Sequence, residues 1–210
     1  EMGHAMHTYY SNEHQSITYA GYLIFVAEVA STCNESLLMH YMLEHCEDEN
    51  ERKYLMTHFL DDFRTTLFRQ AQFAEFEHIA HRKMQKGEPV TKDVLNELWH
   101  ELNVQYYGPD MRVDDEISYE WMRIPHFYTP YYVYQYSTGY SAAVAFSKKI
   151  LEEGKPAVDK YIGNFLCGGC SKNPIELLKS AGVDMSTPKP VDDALNVFED
   201  YLKQFEAATK

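Results

Sequence analysis

The sequence predicts an all-α protein, built as a multi-helical array that includes several long helices. Apolar residues recur at intervals of three and four along most of the chain, which is the spacing of one helix face. Residues 49–86 contain neither Gly nor Pro, and such an uninterrupted stretch favours one very long helix. Strand signals are almost absent, because few short alternating runs lie between turn residues.

The helices are expected in a definite order along the chain. A loop over 12–17 separates the first helix from a long second one. Gly87 and Pro89 end the long third helix, and Thr91 is the expected N-cap of the fourth. A turn with two prolines precedes the fifth helix. The predicted helices cover residues 1–11, 17–45, 49–86, 91–107, from the Pro130 turn to 153, 156–166, 174–181 and 191–206.

Length and charge limit the classes of function. A chain of 210 residues can hold one sizeable core, or one large domain with a subdomain. The net charge of −13 argues against nucleic acid and anionic membranes as partners, because both require basic surfaces. The longest apolar run, YLIFVAEVA, is interrupted by Glu28 and is far shorter than the roughly 18 residues of a membrane span. We therefore expect neither kind of partner.

Four cysteines are present, and two of them form the sequence Cys167-Gly-Gly-Cys170. Redox C-x-x-C motifs usually follow a strand and begin a helix. Here the preceding segment is predicted to be helical and the following one to be a loop. A single pair is also a poor zinc site. Reduced thiols in a cytoplasmic protein are the favoured interpretation.

The first residues, EMGHAMH, place Glu1 and His4 one helical turn apart. A histidine directly before Glu1 would complete the motif H-E-x-x-H, in which two histidines bind zinc from one helix face. The glutamate then takes a proton from a water whose pKa the zinc lowers to about 7. Two histidines are not enough, and the third protein ligand is often a carboxylate from a second helix.

Glu28 is the best candidate for that third ligand. It lies among apolar residues in YLIFVAEVASTCNE, on the apolar face of a predicted helix, where an unpaired carboxylate would be costly to bury. A core carboxylate that faces a Lys or Arg is an equally good interpretation. Glu35 follows seven residues later on the same face, where it would either orient a ligand histidine or face solvent.

A second kind of metal site is possible on the same evidence. Glu1, Glu75 and Glu97 are each followed, three residues later, by a histidine. Carboxylate-bridged di-iron helical bundles use two Glu-x-x-His motifs and two further glutamates, so a di-iron bundle is the alternative. The motifs of Glu75 and Glu97 lie among polar and charged neighbours, which is not typical of carboxylates held in a dry core.

The Tyr-rich stretch IPHFYTPYYVYQYSTGY holds further candidates. A phenol can donate a hydrogen bond to the oxyanion that forms when a peptide carbonyl is attacked, and His126 can do the same or bind substrate. Tyr131 and Tyr134 would share one helix face. The alternative interpretation is a seam of tyrosines that packs helices together.

Taken together, these stretches resemble the oligoendopeptidase F family, within the thimet oligopeptidase superfamily of zinc metallopeptidases. The resemblance runs essentially end to end and implies that residues 1–210 are the C-terminal catalytic portion of a larger zinc peptidase. Its zincin-like active-site helix would lie at the N-terminus of this portion. Residues 183–210 would be the linker and closing helix of the same domain. The stretches that carry the resemblance are EMGHAMHTYYS, YLIFVAEVASTCNE, IPHFYTPYYVYQYSTG, PIELLKSAGVDM and VDDALNVFEDYLKQFE.

The resemblance also implies roles for the candidates nearest the chemistry. Glu1 matches the general base of the family motif, His4 the second zinc histidine, and Glu28 the third zinc ligand. Tyr134 and His126 match residues that stabilise the transition state. The first zinc histidine, expected immediately before Glu1, is not part of the chain.

Four other residues are expected around these. Tyr128 and Tyr131 would contact substrate, and Glu35 would support a ligand histidine from behind the metal. His7 is expected to lie beside the site without binding metal. The segment FLCGGCSKNP departs from the family's more usual loop, and its cysteines are expected to carry no chemistry.

The resulting prediction is a cytoplasmic zinc-dependent endopeptidase that hydrolyses peptide bonds in short oligopeptides. Its expected partners are those peptides and the N-terminal remainder of the enzyme, which would form the far wall of a deep channel. The isolated chain is expected to have little or no activity, because one zinc ligand and half of the cleft are missing.

Overall fold

Helices account for nearly all the regular structure of the chain. The computed structural model describes residues 1–209, and these contain nine α-helices and no β-strand. The predicted all-α class is therefore confirmed. The helices are α1 Met2–His14, α2 Ile24–His45, α3 Glu49–Asp62, α4 Arg69–Gln85, α5 Lys92–Tyr107, α6 Tyr134–Glu153, α7 Lys155–Lys160, α8 Pro174–Ala181 and α9 Lys189–Thr209.

The predicted start of the second helix is wrong. Helix α2 begins at Ile24, seven residues later than the apolar spacing suggested, and α1 continues to His14. Residues 15–23 form a turn between them, in which the backbone N–H groups of Tyr19 and Ala20 both donate to the Ser16 carbonyl. Because that turn satisfies these groups locally, the chain can reverse direction and pack α1 against α2.

The long helix expected over 49–86 is nearly continuous. A π-helical segment, Phe63–Phe68, joins α3 to α4. Its wider turn rotates the residues of α4 around the helix axis relative to those of α3. Asp48 caps the start of α3, because its Oδ1 accepts hydrogen bonds from the backbone N–H groups of Asn50 and Glu51 at 2.9 and 2.8 Å.

The chain divides into two compact units. The first unit consists of Glu1–Arg64 and the chain from Thr138 onward, and the second unit is Thr65–Ser137. The core of the first unit is formed by small and aliphatic residues of α2 and α6 and by aromatic residues that follow α7. Its fully enclosed side chains include Val29, Cys33 and Phe165.

The second unit has a separate aromatic core. Trp99 of α5 has no exposed surface, and its ring contacts Phe76 of α4 edge-on at a centroid distance of 4.9 Å. Ile124 and Val133 close this core from the segment between α5 and α6. Two 3-10 turns, Asp115–Arg123 and Pro125–Tyr128, occupy most of that segment. The Tyr-rich stretch is therefore attached to a rigid aromatic core.

Within residues 1–209, no helix is both long enough and apolar enough to cross a membrane.

Candidate active site

Helix α1 lies unusually close to α2 at Gly3. A Cβ atom on Gly3 would overlap the carbonyl group of Ala30 and the Cα atom of Ser31. The backbones of the two helices therefore touch at this point, which only glycine permits. The consequence is that the next residue, His4, faces α2 at short range.

His4 and Glu28 form the central contact of the first unit. His4 Nε2 lies 3.2 Å from Glu28 Oε2. The predicted burial of Glu28 is wrong, because its side chain is 49% exposed. The buried face of α2 is formed by Val26, Val29, Ala30 and Cys33. Glu28 lies on the opposite face, where α1 rather than the core supplies its neighbour.

Ser31 holds the Glu28 carboxylate from within α2. Its Oγ donates a hydrogen bond to Glu28 Oε2 at 3.0 Å, and this is the same oxygen that approaches His4. The hydroxyl also lies 3.0 Å from the Glu28 carbonyl oxygen. Ser31 is buried, so the donor is fixed in place. The carboxylate is thereby directed towards α1.

The spacing of these two groups can be compared with that of metal ligands. An imidazole nitrogen and a carboxylate oxygen at tetrahedral positions on one zinc ion are about 3.4 Å apart. The observed 3.2 Å between His4 and Glu28 fits two such ligands. Residues 1–209 contain no group of three or more His, Cys, Asp or Glu side chains arranged to hold a metal ion. The described residues thus hold one imidazole nitrogen and one carboxylate oxygen at a spacing that suits a shared metal ion.

Glu1 and Glu35 lie in the same unit as this pair. Glu1 is the exposed residue directly before α1, one turn ahead of His4, and its carbonyl accepts the Ala5 N–H at 3.1 Å. Glu35 is exposed on α2, two turns after Glu28, and borders a shallow pocket with Tyr140. Its side chain is open to solvent.

His7 occupies a different environment from His4. Its ring has no exposed surface, stacks on Tyr22 at 3.8 Å, and leaves both nitrogens without a hydrogen-bond partner. Burial, with a smaller contribution from the neighbouring His4, lowers the pKa of His7 to about 4. The ring is therefore neutral at physiological pH and packs as an apolar group.

The aromatic candidates all belong to the second unit. The His126 ring stacks on Tyr132 at a centroid distance of 5.7 Å, and Tyr136 contacts its edge at 6.0 Å. The imidazole is therefore held between two phenol rings while remaining exposed. Tyr128 and Tyr134 are also exposed, Tyr128 almost completely. Exposed phenols can donate hydrogen bonds to a ligand, because core packing does not enclose them.

Tyr131 has a backbone conformation that is rare for its residue type. Its φ angle is +56°, the only positive φ at a non-glycine position in residues 1–209. Glu77 of α4 accepts a hydrogen bond from the Tyr131 N–H at 2.6 Å, and the His81 ring stacks on the Tyr131 ring. The loop that carries the candidate tyrosines is thus fixed to α4 at this residue.

Comparison with known proteins identifies the family. The sequence model of peptidase family M3 matches residues 1–197. The chain belongs to peptidase family M3. This confirms the resemblance proposed from the sequence, since oligoendopeptidase F homologues are among the proteins that the chain matches.

Relatives of the M3 chain resemble it over nearly its whole length. Oligopeptidase PepF of Bacillus subtilis strain 168 is 55% identical over 206 residues, which are 98% of this chain and 31% of the relative. An oligoendopeptidase F homolog of Lactococcus lactis subsp. lactis is 43% identical over 206 residues, covering 98% and 34%. The crystal structure of oligoendopeptidase-F from Enterococcus faecium superposes with a TM-score of 0.89 at 45% identity, covering 99% of this chain and 37% of that one. The chain therefore spans about a third of the length of these relatives.

The two other Glu-x-x-His motifs of this M3 chain do not form a dry carboxylate site. Glu75 Oε2 accepts a hydrogen bond from the Tyr106 hydroxyl at 2.9 Å, while His78 is exposed. Glu97 is exposed as well. Family membership and these surroundings both favour the peptidase over the di-iron alternative.

The Cys167-Gly-Gly-Cys170 segment has a structural role in the first unit. All four cysteines are free, and burial raises the pKa of the Cys167 thiol. Gly169 has φ +52°, and a Cβ there would overlap the Tyr19 carbonyl. The Cys170 N–H donates to that same carbonyl at 2.8 Å. The glycines therefore allow this loop to pack against the turn that joins α1 to α2.

Three residues that shape the candidate site were missed in the sequence. Gly3 brings α1 to α2, Ser31 orients Glu28, and Glu77 fixes the Tyr131 backbone. Each acts through a contact with a residue of the site. Gly3 carried the clearest available signal, because a glycine inside a predicted helix often marks a close approach of another backbone.

Proposed function

We propose that this chain is the C-terminal catalytic portion of a zinc-dependent endopeptidase that hydrolyses peptide bonds in short oligopeptides. Membership of peptidase family M3 supports a peptidase. The observation that carries the metal assignment is the approach of His4 Nε2 to Glu28 Oε2 across two helices. Ser31 supports it further by directing the carboxylate towards the histidine.

Two zinc ligands come from this chain in the proposal, His4 and Glu28. The third is a histidine in the parent protein, directly before Glu1, which would complete the H-E-x-x-H motif. A zinc ion held by these residues would supply a positive charge that lowers the pKa of a bound water to about 7 and polarises the scissile carbonyl. The buried, neutral His7 ring packs behind this helix face and binds no metal.

Glu1 acts as the general base. It lies directly before α1, one turn ahead of His4, which puts it next to the proposed zinc ligand. It removes a proton from the attacking water and passes it to the nitrogen of the leaving amine. The carboxylate returns to its original state when the peptide C–N bond has broken.

Tyr134 and His126 stabilise the oxyanion that forms on the scissile carbonyl. Each donates a hydrogen bond to the oxygen whose charge grows in the transition state. Tyr128 and Tyr131 contact the substrate on either side of the reacting bond. All four side chains are exposed, so a bound peptide can reach them. Glu35 orients the first zinc histidine without binding the metal itself.

The substrate class follows from the family resemblance. A deep channel, closed on its far side by the N-terminal remainder of the enzyme, admits flexible peptides and excludes folded proteins. Residues 183–210 form the linker and closing helix of the same catalytic domain. We also propose a cytoplasmic location, and the net charge of −13 disfavours nucleic acid and anionic membranes as partners.

Metal analysis of the full-length parent protein tests this function. We expect one zinc per chain. We also expect cleavage of a fluorescence-quenched peptide of about ten residues, which can extend through a channel because an extended chain spans about 3.3–3.6 Å per residue. Glu1→Gln should abolish cleavage and retain zinc, whereas Glu28→Ala should lose both. Ser16→Ala, at an exposed residue of the turn before α2, is the control.

Three outcomes would contradict the proposal. Two irons per chain would support the di-iron alternative. A residue other than histidine before Glu1 in the parent protein would remove the proposed third ligand. The isolated 210-residue chain should cleave the same peptide far more slowly than the parent, and equal rates would show that the chain needs no further ligand or cleft wall.

A further inference from the structure

Glu77 is an enclosed carboxylate in the second unit. It lies on α4 with 5% of its surface exposed. Its Oε1 accepts a hydrogen bond from the backbone N–H of Tyr131 at 2.6 Å, and His81 Nε2 lies 3.8 Å from the same oxygen. Enclosing a carboxylate is costly unless hydrogen bonds or charges compensate for the lost water. The Tyr131 N–H is therefore central to the environment of Glu77.

Tyr131 needs such an anchor. A left-handed backbone is unfavourable for a residue with a side chain, and it persists only where neighbouring groups enforce it. Here the Glu77 carboxylate fixes the Tyr131 N–H, and the His81 ring stacks on the Tyr131 ring at 5.1 Å. Both groups belong to one face of α4, so a rigid helix defines the backbone at this position.

The anchored residue controls the direction of the loop around it. Tyr132 follows directly, and its ring stacks on His126. A change of the Tyr131 backbone out of the left-handed region would turn the Tyr132 side chain away from His126. Loss of the Glu77 anchor would therefore also change the position of His126, the residue that we propose stabilises the transition state.

We propose that Glu77 is a positioning residue for peptide hydrolysis, which acts by locking the left-handed backbone of Tyr131 and thereby the aromatic loop 126–132. This inference rests on the proposed function, because it assigns a purpose to the order of that loop. Glu77 itself touches neither the substrate nor the metal. It fixes the loop before substrate arrives, so that no binding energy is spent on ordering it.

A neighbouring carboxylate provides a matched comparison. Glu75 lies two residues earlier on α4 and also accepts one hydrogen bond, from the Tyr106 hydroxyl of α5. That bond joins two helices and involves no residue of the loop. Variants at Glu75 and Glu77 therefore remove similar interactions, of which only one reaches the candidate site.

The test combines kinetics with hydrogen exchange in the full-length parent protein. Glu77→Leu keeps roughly the same volume and removes the acceptor, so the Tyr131 N–H loses its partner and some loss of stability is expected. We expect faster exchange in the peptide that covers residues 126–133 and a fall in kcat/KM of about 10–100-fold, mainly in kcat. Glu77→Gln, which retains the acceptor oxygen, should restore activity to within about threefold of the wild type.

Other results would overturn the inference. Unchanged exchange over residues 126–133 in Glu77→Leu would show that the carboxylate does not hold the loop. Faster exchange with unchanged kcat/KM would show that the loop's order does not serve catalysis. An equal loss of activity in Glu75→Leu would indicate a general effect on the unit. If Glu77→Leu does not fold, Glu77→Asp takes its place in each comparison. The aspartate side chain is one methylene shorter, so its carboxylate lies farther from the Tyr131 N–H.

Failure of the proposed function would be distinguishable from failure of this inference. A wild-type parent protein that cleaves no peptide refutes the function before any variant is compared, and the catalytic role of Glu77 falls with it. A wild-type protein that cleaves peptides, together with an active Glu77→Leu variant, refutes only the role of Glu77.

Discussion

Gly3 of α1 lies directly against the backbone of Ala30 in α2, with no space between them for a side chain. We predict that Gly3→Ala separates the two helices and pulls His4 away from Glu28. Alanine favours helix formation by about 1 kcal/mol over glycine, but overpacking costs about 1–3 kcal/mol, so the variant should be less stable. Zinc content and urea unfolding of the full-length protein measure both effects.

Gly163 supplies the control for that substitution. It lies in the π-helical segment Tyr161–Leu166, and a Cβ there would meet no atom within 4 Å. Gly163→Ala should therefore leave zinc content unchanged and stability equal or slightly higher. If both variants retain full zinc and equal stability, the close approach of α1 to α2 is not required for the site.

Ser31→Ala should weaken zinc binding more than it weakens the fold. Loss of the hydrogen bond to Glu28 Oε2 removes about 1 kcal/mol of stability, whereas groups that orient a metal ligand typically change affinity 10–100-fold. Competition with a chelator gives the zinc affinity. Ser36→Ala is matched, because Ser36 is buried on the same helix and donates to Ser147 at 2.9 Å. It should lower stability without changing zinc affinity, and equal affinities in the two variants would contradict the orienting role.

Acid should destabilise the fold through His7. Because its folded pKa is about 4 and its ordinary value is 6.5, the unfolded chain binds more protons between these values. The stabilisation is complete above pH 6.5 and is lost as pH falls towards 4, by about 3 kcal/mol. The His7→Phe variant keeps the ring stacking on Tyr22 but has no imidazole to protonate, so its stability should not fall for this reason between pH 6.5 and 4. Urea unfolding of metal-free protein at several pH values measures it, and parallel curves for both proteins would refute it.

Helix positions could be predicted because their signals are local. Gly87, Pro89 and the Thr91 cap mark a boundary that the structure reproduces, with Val94 N–H donating to Thr91 Oγ1. The start of α2 could not be placed, because the apolar residues before Ile24 face a turn instead of continuing the helix. Such a choice depends on tertiary packing, which the spacing of apolar residues does not contain.

The candidate site was predictable in its residue types but not in its surroundings. The sequence suggests Glu28 as a ligand but places it on the apolar face of α2. In the structure its neighbour is His4, which belongs to a helix whose close approach depends on Gly3. Glu77 is 54 residues from Tyr131. No local pattern indicates such a partner, so the anchor emerges only from the folded chain.

The thiols should differ in their reactivity towards an alkylating reagent at neutral pH. Burial raises the pKa of Cys33 to about 12 and also raises that of Cys167, so both should be modified slowly. Cys170 is partly exposed and should react first. Mass spectrometry of the folded protein after timed iodoacetamide treatment gives the order. Rapid modification of Cys167 would contradict its packed position and reopen a redox role for the pair.

The exposed tyrosines should separate into two kinetic classes. Tyr134→Phe removes the donor proposed for the oxyanion, so kcat of the full-length enzyme should fall by about 10²–10³-fold with little change in KM. Tyr128→Phe removes a hydroxyl from an almost fully exposed side chain. Because we propose that Tyr128 contacts substrate in both the ground and transition states, KM should rise with kcat retained. Steady-state kinetics on one quenched peptide compares the two variants directly. Equal effects on KM in both would assign Tyr134 to substrate binding and leave His126 as the donor to the oxyanion.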